Sequence, residues 1–397
     1  KIHGSRFFSG YNQAVDGKLW TEYQQPQDSS LPPEDDTLYF IDTGDHHRWI
    51  DTYSEIWEVA GEYVTHLGNH HRLQAGLLND WQQVQYLTIE FPWDYDPDGL
   101  GSSHDLWRVN PMQGNFYVQD QIEYEGFVAN VGLRVDYWFP GNELEAAIAD
   151  TSNKNISNAT RQGFYNDTNT LFGNAYKAHL SPRVQVSHPI TERDNFFFNY
   201  GQFTQYPPYF YIYSKMTSVS SETFPIVGNP NLNPEISVQY EVGGRHTFRD
   251  DIGGNITLFW KDIYDYPTST TFRRLQGDEL VDILIYRNQD FARSRGFEIE
   301  LEKRRNKYWR WRASYEYSIA SGKSSDPNAA KLVEEQGGDA SETRLGEEFL
   351  FWNRPHRLKG LLEFRVTPGA PRPKLLGVTL PTNWGLSLFT EGVSGRA

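Results

Sequence analysis

Apolar and polar residues alternate with a period of two over long stretches of this chain. Within residues 127–139 the odd positions are apolar or aromatic, whereas the even positions include Arg134 and Asp136. This is the period of a β-strand that lies between apolar and wet surroundings. The pattern returns over residues 236–242 and 309–319. These segments exceed the five or six residues common in soluble sheets, and a tilted strand needs roughly nine to eleven to cross a bilayer.

Short turns and long polar connections alternate between the predicted strands. Gly, Asn, Asp and charged residues mark tight hairpin turns, which we predict at residues 66–69, 125–126, 191–194, 250–251 and 304–306. The long connections cover residues 86–112, 141–179, 205–234, 267–288 and 321–354. Such long loops are uncommon in compact soluble domains, but outer-membrane barrels have short turns on one side and long loops on the other. We count about twelve or thirteen strands.

Composition narrows the class of protein. No linker divides the 397 residues, so we predict one all-β domain over residues 1–397. No apolar run approaches the roughly 18 residues of a membrane helix, which excludes a helical membrane protein. The aromatic share of 15% suits a barrel that exposes alternate residues to lipid, although a β-sandwich or propeller with an aromatic core has the same composition. The net charge of -15 argues against binding to nucleic acid.

Aromatic residues also stand at the ends of predicted strands. These are Trp138, Phe139, Tyr264 and Tyr266 at loop ends, and Trp309 and Trp311 beside a short turn. This placement is typical of the aromatic girdles that a barrel has at both membrane interfaces. The alternative is that these residues are ordinary core aromatics at strand ends.

Several stretches of the sequence resemble the barrel domain of TonB-dependent outer-membrane receptors. Residues 228–235 read GNPNLNPE and enter a strand at once, as in that family. The other similar stretches are YVQD (117–120), GLRVDY (132–137), LSPR (180–183), FFFNYG (196–201), GFEIEL (296–301), ASYEYS (313–318) and RPHRL (354–358). Each of these motifs is unspecific on its own. They follow the order found in the family, however, and together span about residues 110–366.

The resemblance implies an antiparallel, up-and-down transmembrane β-barrel, of which this chain is predicted to hold part. The family barrel has about 22 strands, with short periplasmic turns and long extracellular loops. The implied function is energy-coupled uptake of a scarce nutrient, such as a siderophore, a cobalamin, a glycan or a peptide, across the outer membrane of a Gram-negative-type bacterium. The implied partners are outer-membrane lipid, a small ligand and the TonB complex. Neither the plug domain nor the TonB box that would contact TonB is found between Lys1 and Ala397, so we expect a barrel fragment cut at both ends.

One acidic stretch has the spacing of a calcium-binding loop. Asp94, Asp96 and Asp98 precede Gly99, and Asp105 follows six residues after that glycine. Alternating carboxylates wrap a hard cation, and the glycine permits the sharp turn. Asp105 stands where a bidentate Glu is usual and no helices are predicted beside the loop, so the predicted Ca²⁺ affinity is weak. A solvated acidic loop is the alternative.

A second candidate site is an aromatic segment in a predicted loop, where no core is expected. Its members are Tyr206, Tyr209, Phe210, Tyr211 and Tyr213. Stacking of these rings on a ligand is the functional interpretation. Packing of the loops on one another, or on a plug domain, is the alternative.

No catalytic motif is found, so the sequence predicts a transporter rather than an enzyme. The H-E-x-x-H, G-x-S-x-G, Walker and Rossmann patterns are all absent from the sequence. Two other classes stay open: a secreted, soluble propeller or sandwich that binds glycans, and a barrel that serves as an adhesin or a passive pore.

Overall fold

Long antiparallel strands dominate the structure, a computed structural model that describes residues 1–13, 17–27, 43–94, 100–101, 103–153, 155–215, 226–276, 279–304, 308–324, 326–328, 346–369 and 371–396. The strands of ten residues or more are β1 (Ile2–Gln13), β2 (Arg48–Leu67), β3 (His71–Glu90), β5 (Met112–Tyr124), β6 (Phe127–Phe139), β8 (Asn174–Pro189), β9 (Asp194–Gln205), β11 (Glu235–Arg249), β12 (Ile252–Gln276), β13 (Glu279–Lys303), β14 (Trp309–Gly322), β16 (His356–Val366) and β19 (Trp384–Val393). The short strands are β4 (Ser103–Val109), β7 (Asn169–Leu171), β10 (Ile226–Val227), β15 (Glu348–Phe349), β17 (Lys374–Leu375) and β18 (Val378–Thr379). The helices are α1 (Asn142–Ala149), α2 (Asn158–Asp167), α3 (Tyr209–Tyr213) and a 3-10 turn at Trp20–Glu22.

Each long strand pairs antiparallel with the next long strand along the chain, which makes an up-and-down sheet. This confirms the predicted fold class, a partial transmembrane barrel, and the thirteen long strands described agree with the predicted twelve or thirteen. In the described part of the chain, β1 pairs with β2 alone and β19 with β16 alone, so the sheet is open between these edges. None of the helices described is long and apolar enough to cross a membrane.

The predicted tight turns lie where expected. Strand β5 ends at Tyr124 and β6 begins at Phe127, while β11 ends at Arg249 and β12 begins at Ile252. The turns at 68–70 and 190–193 are also short, with three and four residues. The fifth turn, predicted at 304–306, falls largely outside the described residues. We call this edge of the sheet the turn side and the opposite edge the loop side.

Two long connections differ from the prediction. Residues 267–288 are not an irregular loop, because β12 and β13 continue through them and pair from Thr268 with Arg287 to Gln276 with Glu279. The interruption that suggested a loop is a bulge near Pro267, where Asp265 has a φ of 56°, since proline donates no ladder hydrogen bond. On the turn side, residues 367–383 form an unpredicted longer connection that carries the β17–β18 hairpin.

The two faces of the sheet differ as the alternation predicts. On the outer face, Val131 and Leu133 of β6 are exposed, as is Leu180 of β8. On the inner face, Nη2 of Arg134 lies 2.7 Å from Oδ1 of Asp136. Further ion pairs on the inner face join Arg312 to Glu300 and Glu302, Arg245 to Glu302, and Arg310 to Glu363.

A row of aligned residues marks the loop-side limit of the apolar outer face. Trp57 of β2 pairs with Trp81 of β3, Trp81 with Met112 of β5, and Met112 with Phe139 of β6. The next residues on this face of β3 toward the loops are Gln83 and Gln85. The girdle prediction is therefore correct for Phe139 but wrong for Trp138, whose side chain is 1% exposed on the inner face. Neighbours on a strand point to opposite faces, so both could not face lipid.

Candidate functional site

Loop-side connections pack into a structured layer over the inner ends of the strands. This loop layer comprises α1, α2, α3, β4, β10 and the loop-side ends of β3, β6, β8 and β13. Its buried apolar residues are Val109, Trp138, Leu144, Ile148, Ile156, Phe164, Ile212, Tyr213, Leu232, Leu284 and Tyr286. The sequence analysis missed this core because it treated these residues as polar loops. The signals were Leu144 and Ile148 spaced four apart, and Arg161 and Phe164 spaced three apart, as on one face of a helix.

A buried arginine fixes α1 to α2. Arg161 lies inside the loop layer, and its guanidinium donates to the carbonyl oxygens of Ile148, Ile156, Asp150 and Asn153. These carbonyls belong to the end of α1 and the link to α2, where helix-terminal oxygens lack intrahelical partners. Ser157 caps α2 by accepting a hydrogen bond from the Thr160 N–H at 3.0 Å.

The predicted aromatic site forms α3 and the turn before it. The Tyr213 hydroxyl donates to the Pro140 carbonyl at 2.6 Å, and the Tyr209 hydroxyl donates to Oε1 of Gln82 at 2.7 Å. Burial raises the pKa of Tyr213 well above its ordinary value, so the hydroxyl stays a donor.

The other members of the set differ in how much of each ring is exposed to solvent. The ring of Tyr211 stacks on Tyr286 with 4.2 Å between centroids, and Tyr206 packs near Trp138. Phe210 is the most exposed, at 36%. Tyr213 is thus a packing residue, while Phe210 has the most solvent-exposed ring of the set.

The structure describes two of the four predicted calcium ligands, Asp94 and Asp105. Asp96 and Asp98 lie outside the described residues, and Asp94 is exposed on a turn. Asp105 lies on β4, where its carboxylate accepts hydrogen bonds from Ser214 Oγ at 2.6 Å and from the Lys215 N–H at 2.8 Å. Burial raises the pKa of Asp105, and the hydrogen bond from Ser214 opposes that shift. Both oxygens of Asp105 therefore hold the end of α3 against β4.

The GNPNLNPE stretch anchors the loop layer to the sheet. Nζ of the buried Lys177 donates to the carbonyls of Asn231 and Leu232 at 3.0 and 3.1 Å and to Oδ1 of Asn233 at 2.9 Å. Nδ2 of Asn288 donates to the Asn233 carbonyl, and the Asn233 N–H donates back to Oδ1 of Asn288. The first residue, Gly228, lies so close to α3 that an added Cβ would fall 2.6 Å from the Ile212 carbonyl oxygen.

A half-open pocket of about 550 Å³ lies between this stretch, the start of α2 and β13. Val227, Ile283 and Ile285 supply apolar walls. Arg287 and Gln289 are exposed on the β13 side. The remaining polar lining consists of Asn155, Ser157, Thr160, Asn229, Asn231, Asn233 and Asn288. Sequence reasoning did not predict this pocket, since its residues come from three separate segments.

The family model for the TonB dependent receptor-like β-barrel matches residues 3–389. The chain belongs to this family. As a member, this TonB-dependent receptor barrel lies in the outer membrane of a Gram-negative bacterium, with its apolar outer face against lipid. The up-and-down sheet with a lipid-facing apolar side rules out the soluble propeller and sandwich as folds for this chain.

Solved structures support the same fold for this receptor barrel. It is similar to the outer membrane transporter YddB from Escherichia coli, with a TM-score of 0.54, 11% identity, and coverage of 80% of this chain and 40% of that one. For the FrpB iron transporter from Neisseria meningitidis (F3-3 variant) the TM-score is 0.51, with 12% identity over 81% of this chain and 42% of that one. For the siderophore receptor PirA from Acinetobacter baumannii the TM-score is 0.50, with 14% identity over 82% of this chain and 42% of that one. The chain thus spans about two fifths of the length of these structures. Among curated proteins, none matches the sequence.

Proposed function

We propose that this chain forms the wall and loop layer of an outer-membrane receptor that imports a scarce nutrient by coupling to TonB. Membership of the TonB-dependent receptor family over residues 3–389 carries the proposal. The TonB complex and a small ligand are the proposed partners, and the chain is proposed to act as a transporter and not as an enzyme.

The lining of the loop-layer pocket favours a hydrophilic ligand that carries at least one anionic group. Arg287 is exposed there, and no acidic partner for it lies within hydrogen-bonding range in the part of the chain that the structure describes. A guanidinium binds carboxylates and related oxyanions in a two-pronged geometry. Gln289 adds hydrogen-bonding groups above the apolar walls. A ferric siderophore combines these features, and two similar structures are named as an iron transporter and a siderophore receptor.

The aromatic and calcium sites stay secondary proposals. Phe210 is the member of the aromatic set best placed to stack on a ligand. Calcium at Asp94, Asp96, Asp98 and Asp105 would have to compete with the hydrogen bonds that Asp105 accepts from Ser214 and Lys215. Calorimetric titration of the intact receptor with CaCl₂ checks this: an absence of binding heat, or equal heat in Asp98→Asn, would remove the calcium site.

Uptake measurements test the main proposal. Cells that express the intact receptor are given radiolabelled ferric hydroxamate siderophore, ferric catecholate siderophore, cobalamin or maltooligosaccharide, with TonB present or deleted. We expect one probe to accumulate only when TonB is present and to be recovered chemically unchanged. TonB-independent accumulation would indicate a passive pore, and surface binding without accumulation would indicate an adhesin; either result contradicts the proposal.

A matched pair of arginine variants tests the pocket. Arg287→Ala should weaken binding of the transported probe about tenfold or more, since losing a hydrogen bond to a charged group costs roughly 1.5 to 3 kcal/mol. Arg193→Ala removes an exposed arginine from the turn side and should leave binding unchanged. Equal affinities for the two variants would place the ligand elsewhere, without affecting the proposal of TonB-coupled uptake.

A further inference from the structure

The connection between β16 and β19 is much longer than the other turns described on its side of the sheet. It spans residues 367–383 and carries the β17–β18 hairpin, whereas the turn at 125–126 has only two residues. Prolines at 368, 371, 373 and 381 each fix one φ angle. The Leu380 N–H also donates to the Pro373 carbonyl at 2.9 Å, which closes the base of the hairpin. The connection is therefore a structured element and not slack between two strands.

This connection is basic, although the whole chain has a net charge of -15. No acidic residue occurs between Glu363 and Glu391, whereas Arg365, Arg372 and Lys374 all fall in that stretch. The three basic side chains are exposed, and none of them takes part in an ion pair among the described residues. Their charges are therefore available to an anionic partner.

The adjacent turn, between β13 and β14, reinforces this charge. Residues 303–312 read KRRNKYWRWR and contain no acidic residue. Within them, Lys303, Arg310 and Arg312 already pair with carboxylates, while Arg304 is exposed. The two turns are neighbours, because the Arg365 N–H donates to the Tyr308 carbonyl at 2.9 Å. Together they make one edge of the turn side positively charged.

Aromatic residues tie the long connection to the lipid-facing surface. Phe364 shares the outer face of β16 with the exposed Leu362. Three rings lie within 6 Å of it, centroid to centroid: Tyr308, Trp309 and Trp384. The Tyr308 hydroxyl also donates to the Pro371 carbonyl at 2.7 Å. Since aromatic girdles lie at the level of lipid head groups, the base of the connection lies at that level too.

The tip of the β17–β18 hairpin is apolar and exposed. Leu376 is 98% exposed and Val378 64%. Leu376 and Gly377 form the turn, with φ angles of 50° and 84°. Asn or Gly adopts such a φ readily and leucine does not, so an apolar side chain is present at the cost of the easier turn residue. Transfer of both side chains from water into hydrocarbon would be favourable.

From these features we infer that the β17–β18 hairpin binds anionic phospholipid in the periplasmic leaflet of the outer membrane. Leu376 and Val378 insert among the lipid chains, and Arg372 and Lys374 lie beside the phosphates. The short turns of this barrel face the periplasm, and the glycerophospholipids of an outer membrane lie in its periplasmic leaflet. Basic residues beside an anionic membrane surface attract it, and adjacent apolar side chains add to that binding.

Spin labels test where the hairpin tip lies. The 397 residues contain no cysteine, so each substitution adds one label once any cysteine elsewhere in the intact receptor is replaced by serine. In nanodiscs of phosphatidylcholine and phosphatidylglycerol, a label at Leu376→Cys should be accessible to oxygen and shielded from a water-soluble nickel chelate, like one at Leu362→Cys on the lipid-facing wall. A label at Glu192→Cys, exposed in the β8–β9 turn of the same side, should show the opposite. If the Leu376→Cys label matched the Glu192→Cys label, the inference would be overturned.

Lipid retention tests the basic side chains. The intact receptor in detergent is offered phosphatidylglycerol or phosphatidylcholine with the same acyl chains, and retained lipid is measured by native mass spectrometry. Wild type should prefer phosphatidylglycerol, and Arg372→Gln/Lys374→Gln should reduce that preference about fivefold for each charge removed. Arg193→Gln/Arg249→Gln removes the same charge from other turns of this side and should keep the preference. A heat-modifiable gel band verifies folding. Equal retention of both lipids by wild type, or equal losses in the two double variants, would overturn the inference.

An anionic polymer of the periplasm is the competing occupant of the basic surface. Co-sedimentation of the detergent-solubilised receptor with peptidoglycan sacculi tests it, and we expect none. A Leu376→Cys label exposed to water, with co-sedimentation that Arg372→Gln/Lys374→Gln abolishes, would assign the surface to the cell wall and overturn the inference. Neither result bears on the proposed uptake function, because the hairpin lies on the opposite side of the membrane from the loop-layer pocket.

Discussion

Replacing Leu133 with arginine tests which side of the wall faces lipid. Leu133 lies midway along β6, pairs with Val118 and Pro182, and is 53% exposed on the outer face. An arginine near the bilayer midplane of a barrel costs roughly 2 to 4 kcal/mol. At about 1.4 kcal/mol per factor of ten, folding into the membrane should become about 30-fold to 700-fold less favourable.

The matched control is Asn130→Arg, three residues away on the inner face of the same strand. Asn130 pairs with Gln121 and Gln185, so the new guanidinium would lie among polar side chains. We expect a change below about 1 kcal/mol, because inner-face substitutions avoid hydrocarbon.

The free energy of folding of both variants is measured by urea titration in lipid vesicles, with the heat-modifiable gel band as the signal of the folded state. The face assignment would be refuted if the two arginines reduced stability equally or if Asn130→Arg were the worse.

Three further predictions concern a buried lysine, a closely packed glycine and a hydrogen-bonded carboxylate. Lys177→Met should loosen residues 228–234 by about 2 to 3 kcal/mol, because three oxygens lose a buried cation; hydrogen exchange there should rise, and unchanged protection would contradict the anchor. Gly114→Ala should destabilise the barrel by about 1 to 3 kcal/mol, since an added Cβ would meet the Leu78 carbonyl and the Tyr137 ring, whereas Gly61→Ala has open space and should be neutral in the same urea titration. Hydrogen bonds from Lys18 and the Gln24 N–H lower the pKa of Asp45, so its stabilisation is complete above the unfolded pKa and is lost as the pH falls through the folded one. Proteolysis of the connection between β1 and β2 should accelerate in acid in wild type and be pH-independent in Asp45→Asn. Parallel pH profiles of the two proteins would show that the contacts of Asp45 with Lys18 and Gln24 do not hold this connection in place.

Alternation along the sequence predicted the strands and turns well because lipid imposes it. Each residue that faces hydrocarbon must be apolar, and its neighbours face a wet interior, so the pattern persists for the whole crossing. The turn at Glu125 and Gly126 was therefore located from the sequence alone. The same argument identified Arg134 and Asp136 as inner-face residues.

The pattern fails beyond the membrane, where neither face meets lipid. Leu144, Ile148 and Phe164 form a small core among residues that are mostly polar, and a period-two search does not detect helical spacing. The bulge at Asp265 hid the continuation of β12 and β13, although the β-branched run at Thr270 and Thr271 is typical of a strand. The loop-layer pocket depends on contacts between distant segments, which no local pattern specifies.

The length of the β12–β13 hairpin exceeds what is needed to cross the membrane. Each strand has 25 residues, or roughly 80 Å at about 3.3 Å per residue, whereas roughly nine to eleven residues suffice to cross the bilayer. More than half of this hairpin consequently extends beyond the hydrocarbon on the loop side, where Leu284 and Tyr286 are buried in the loop layer and Arg287 lines the pocket. The hairpin thus joins the lipid-facing wall and the pocket within one pair of strands, so a shift in its register would change the height of the pocket above the membrane.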